Sequence, residues 1–76
     1  MKVQVTKRAI VQRIRRSLAK EGNMLRTSRS EGVRQDLGEY YVVDTFRNRV
    51  IERDVDLERL ARDIGALEPY ECIAAD

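Results

Sequence analysis

Ten lysines and arginines fall in the first 34 residues against two acids, Glu21 and Glu31, a local charge of +8. Within that stretch Arg8, Arg13, Arg15, Arg16 and Lys20, joined by Gln12, are spaced so that a helix spreads them over a wide solvent-facing arc. Clustered cations attract phosphate backbones and release counterions on binding, which gives affinity without sequence readout. Arg26, Arg29 and Arg34 extend the set along the following segment. Gln12 and Asn23 are residue types that could reach base edges if such a helix entered a major groove. The competing reading is a solvated helix face whose arginine stems cover apolar neighbours. Residues 35–76 reverse the balance, with five arginines against eleven acids, a charge of −6, so the net +2 conceals a dipole along the chain.

Other chemistries find little support. Histidine is absent, which removes the commonest general base and the commonest metal ligand. A single cysteine, Cys72, admits neither an internal disulfide nor a zinc site of the usual type, and Glu71 beside it disfavours a thiolate. Asp54, Asp56, Glu58 and Asp63 lack the Asp-x-Asp-x-Asp-Gly order of a calcium loop and read as capping and solvating residues. Gly32 and Gly38 are not followed by the Lys-Ser/Thr of a phosphate loop. The expectation is therefore a non-enzymatic chain with no catalytic residue, no metal, no cofactor and no small-molecule substrate.

The elements that must position the cations follow from local pattern. Thr6 suits an N-cap, residues 7–21 contain no helix breaker, and Gly22-Asn23 supplies a left-handed stop. Ile10, Val11, Ile14 and Leu18 share one arc of that helix, so its other arc is the basic one. Residues 24–28 read as a strand of poor alternation. Residues 28–38, with breakers at both ends and no clear period, read as a mobile surface loop carrying Arg29 and Arg34. Residues 39–46 are the best strand, rich in Tyr, Val, Thr and Phe, with Tyr40 and Tyr41 on opposite faces. Arg47-Asn48-Arg49 turns the chain, and residues 50–55 return as an antiparallel partner. Asp56 caps a second helix with Leu57, Leu60, Ala61 and Ile64 on its inner side, Val55 and Leu60 as a hydrophobic staple, and Gly65 as its stop. Residues 1–5 alternate apolar and polar side chains and could add a short strand or simply fray, and the tail from Tyr70, with 71–76 open to fraying, could pack through Tyr70 and Ile73 or remain loose.

The sum is one small α+β domain over residues 1–76, ordered helix–strand–strand–strand–helix, with two helices packed on one face of a small antiparallel sheet. Two helices about thirty-five residues apart do not make a helix-turn-helix, whose turn is about 3–4 residues. The aromatic signature of RNA-recognition sheets is missing too. No apolar run approaches the roughly 18 residues that span a bilayer, so no membrane partner is expected, and the single cysteine suits the cytoplasm. The acidic half, including Asp36, Glu39, Asp44, Glu52, Asp54, Asp56 and Glu58, could instead meet the basic helix of a second copy in a homodimer. An acidic protein partner, docked by an adaptor or inhibitor, is the remaining alternative to nucleic acid. The stretches Gly38-Glu39-Tyr40-Tyr41-Val42-Val43-Asp44, Val55-Asp56-Leu57-Glu58 and Leu67-Glu68-Pro69-Tyr70-Glu71 resemble small bacterial proteins of uncharacterised function. That resemblance implies a bacterial cytoplasmic setting and no activity, cofactor or site.

Overall fold

Three apolar side chains one helical turn apart, Ile10, Ile14 and Leu18, anchor the molecule by burying one stripe of the first helix. The computed structural model describes residues 3–74. The element order is β1 (Val3–Val5), α1 (Lys7–Ala19), β2 (Asn23–Thr27), α2 (Glu31–Leu37), β3 (Tyr40–Asp44), β4 (Arg49–Glu52), α3 (Leu57–Asp63) and β5 (Glu71–Ile73). Strands β2, β3 and β4 form an antiparallel sheet in that order, while β1 pairs with β5 in a separate parallel ribbon. The fold is α+β, and the helix–strand–strand–strand–helix order is contained within it as α1, β2, β3, β4 and α3.

Each helix starts on the cap its sequence offers. The Thr6 hydroxyl accepts from the Ala9 N–H at 3.1 Å, and an Asp56 carboxylate oxygen accepts from the Glu58 and Arg59 N–H groups at 3.0 and 3.3 Å. Such a side chain satisfies donors that the first turn leaves without partners. Gly22 turns the chain from α1 into β2 with φ of 75°, a left-handed value that costs glycine little. Asn48 turns β3 into β4 with φ of 53°.

One cluster forms the core: Ile10, Ile14 and Leu18 of α1 meet Leu25 and Val42 of the sheet, Leu57 and Ala61 of α3, and Val5 and Leu67. Both α1 and α3 therefore cover the same face of the sheet. On the other face Met24, Val43 and Val50 stand opposite one another across the three strands. A register shift between Val42 and Val43 leaves Ile51 as the extra residue of β4.

One expectation is corrected. Residues 28–38 are not a structureless loop: Ser30 caps α2 by accepting from the Val33 N–H at 3.3 Å, and Gly38 ends it with φ of 79°. Hydrogen bonds from the Ser28 hydroxyl to the Gly38 carbonyl and from the Ser28 N–H to the Glu39 carbonyl tie the two ends of this segment together. The helix buries no residue fully, and its apolar signal is a single pair, Val33 and Leu37, one turn apart and half-buried, too short a run to establish a period. Of the two outcomes open to the tail, packing holds: residues 71–73 pair with β1, placing Val3 against Glu71 and Val5 against Ile73. Pairing between chain ends is non-local and leaves no local pattern. Of the ends expected to fray, residues 1, 2, 75 and 76 lie outside the described residues.

Candidate functional site

The amphipathic period of α1 decides where its cations go. With Ile10, Ile14 and Leu18 turned inward, Arg8, Gln12, Arg13, Arg15, Arg16 and Lys20 are all exposed. They divide into three groups by what lies beside the helix.

Arg13 leans toward α3 and β5. Its Nη1 donates to Glu71 Oε1 and Oε2 at 3.1 and 3.2 Å and to the Ala66 carbonyl at 3.3 Å. Glu71 is buried, and its Oε1 also accepts from the Glu68 N–H at 2.9 Å. That backbone hydrogen bond lowers the carboxyl pKa below its ordinary value; burial opposes it, and the Arg13 guanidinium reinforces it. Arg62 joins the same knot, donating to the Glu71 and Glu68 carbonyls at 3.0 and 3.3 Å. Arg13 is thus exposed yet paired within the fold, because its wheel position faces the acidic C-terminal segment.

Arg15 leans the opposite way, over the free edge of the sheet. Its Nε donates to the Leu25 carbonyl at 3.4 Å. Ser28 N–H pairs with Glu39, so the even-numbered residues of β2 bond to β3, and the odd-numbered Leu25 faces outward from the edge. The Nη atoms of Arg15 make no bond among the described residues. Arg15 stands at the junction of two shallow grooves. One is lined by Arg15, Arg26 and Arg29 together with Met24, Val33 and Tyr41. The other is lined by Lys7, Arg8, Gln12, Arg15 and Tyr40 among others.

Arg16 on α1, Lys20 at its C-cap and Arg34 on α2 line neither groove. They are exposed, as are Arg8, Arg26 and Arg29. None of these six side chains makes a hydrogen bond or ion pair among the described residues. Asn23 borders the Arg15–Arg26–Arg29 groove and is half-buried.

Two residues outside the cationic pattern belong to this surface. Tyr41 and Tyr40 are both half-buried, one in each groove, as alternation along β3 requires. Lys7 lies 5.3 Å from the centre of the Tyr40 ring and 3.7 Å from Glu39 Oε1. Strand propensity alone puts the adjacent tyrosines on β3; that each borders an arginine groove depends on β2 and α1 lying beside them.

Neutralisation within the chain is limited. Among the described residues the ion pairs are Lys7–Glu39, Arg13–Glu71 and Arg62–Glu58, and the first two join the basic half to the acidic half. Among the described residues no three Cys, Asp or Glu side chains gather closely enough to hold a metal ion. No helix of the described residues is long and apolar enough to cross a membrane. Cys72 lies half-buried on β5. Comparison of the chain with family models, with curated proteins and with solved structures found no match.

Proposed function

We propose that this chain is a non-enzymatic protein that binds nucleic-acid backbone through the outward face of α1 and the arginines that follow it on β2 and α2. The observation that carries the reading is that Arg8, Arg16, Lys20, Arg26, Arg29 and Arg34 are exposed and unpaired among the described residues, while Arg13 is paired with Glu71. Six guanidinium or ammonium groups without carboxylate partners retain their full attraction for phosphates, and each phosphate neutralised releases a counterion. A cytoplasmic setting belongs to the same reading.

Replacing Arg8, Arg16 and Lys20 together by Gln tests it. Binding to a generic oligonucleotide should weaken steeply, and the slope of log affinity against log salt should fall by about 2–3. The circular-dichroism spectrum should be unchanged. Replacing Arg47, Arg49 and Arg53 by Gln removes the same charge at the opposite side of the sheet and should have little effect. Equal losses from the two triple variants would reduce the reading to non-specific attraction by net charge.

A second reading, a protein-interaction module, draws on the uncovered sheet face. Met24 and Val50 are 42% and 40% exposed there, and Phe46 at the hairpin is 86% exposed. A homodimer or an acidic protein partner seated on that face would persist in salt that releases phosphates. Light scattering at low and high salt separates the two.

A further inference from the structure

Resting on the nucleic-acid reading, we infer that the groove over the free edge of β2 takes a single strand, with phosphates held by Arg15, Arg26 and Arg29 and a base stacked on Tyr41. Three features of the groove select this ligand. Its rim is cationic, and neither Arg26 nor Arg29 has a partner among the described residues. Its lining includes an aromatic ring, the half-buried Tyr41, and an exposed thioether, Met24. Base faces can use such a lining, whereas a duplex keeps its base faces stacked inside and presents phosphates alone. Finally, Arg15 is pre-positioned. Its Nε is occupied by the Leu25 carbonyl, so the two Nη groups of the guanidinium remain as a fork of the kind that binds phosphate bidentately.

The same hydrogen bond argues against an extended peptide on this edge. A strand added to β2 needs the outward carbonyl of Leu25 as an acceptor, and would have to share it with the Arg15 guanidinium that already lies over it. Two copies joined edge to edge through β2 would set Arg15, Arg26 and Arg29 of each against the same cations of the other, which like charges oppose. A single-stranded polyanion meets neither obstacle.

Fluorescence anisotropy with three labelled probes provides the test: a 15-nucleotide oligothymidylate, its duplex with oligoadenylate, and a poly-glutamate peptide of equal length. The oligothymidylate should bind at least about tenfold more tightly than the duplex at the same salt, the scale of one stacked base. Tyr41→Leu should remove about that factor for the single strand and leave the duplex unchanged, while Tyr41→Phe, which keeps a stacking ring, should bind like the parent. Arg15→Lys should weaken single-strand binding several-fold with an unaltered salt slope, because charge is kept and the fork is lost. Should Tyr41→Leu fail to fold, the single-strand to duplex ratio of the unaltered protein decides alone. Duplex binding as tight as single-strand binding overturns this inference and leaves the backbone reading standing. Binding of poly-glutamate with neither nucleic acid overturns both.

Discussion

Arg13 and Arg15 lie two positions apart on α1, about 200° around the helix, and do different work. Arg15 holds the edge of β2 by one nitrogen and faces outward with the other two. Arg13 is spent on Glu71, whose carboxylate also accepts the Glu68 N–H and so anchors the segment leading into β5. With its folded-state pKa depressed, Glu71 stabilises the fold fully above the ordinary carboxylate value of 4.5, and that contribution is lost as pH falls through the lower folded value. Thermal melts of Glu71→Gln should therefore give a lower Tm than the parent at pH 7, with the gap narrowing as pH descends through the carboxylate range. A gap that stays constant with pH would show that packing, and not the charge, accounts for it. Neither contact is legible from spacing: the acid that Arg13 meets stands 58 positions away in the chain, and Arg15 meets a carbonyl of the neighbouring strand.

Elements with a local signature are legible in the sequence itself. Thr6 and Asp56 occupy the caps of α1 and α3, and Gly22, Asn48 and Gly65 adopt the left-handed values their turns require. The cap on α3 has a measurable consequence: Asp56→Ala should cost about 1 kcal/mol in urea denaturation, through two N–H groups left to water. A loss below a few tenths of a kcal/mol would mean that packing of Leu57 and Ala61 alone sets where the helix begins. Helix α2 escapes a sequence reading because periodicity reports burial, and α2 buries only Val33 and Leu37, each by half. Strand β1 is legible as a short alternating piece, but its pairing with β5 is not, for another reason. Each is three residues long, and its hydrogen bonds exist only once the two ends of the chain meet.

Seen whole, the molecule is a slab of 40 × 28 × 15 Å: one sheet layer with α1 and α3 on a single side. A core shared by so few side chains leaves little redundancy. Ile14 is fully buried at its centre, and Ile14→Ala should cost about 2–5 kcal/mol. Against the roughly 4–11 kcal/mol available to a chain of this length, that is enough to broaden or abolish the folded baseline in urea. A loss under about 1 kcal/mol would show that the slab repacks freely around the gap. The thin architecture also explains why its surfaces matter, since a single helix layer leaves the other sheet face and the β2 edge open. Local sequence by itself determined the basic arc of α1, its inward stripe, the central hairpin and the capped third helix, because helical period, strand propensity and turn chemistry act over a few residues. Only the tertiary structure decided which cations remain available: ion pairing acts between residues brought together by the fold, so Arg13 was drawn to the C-terminal strand while Arg15, Arg26 and Arg29 were gathered around one groove.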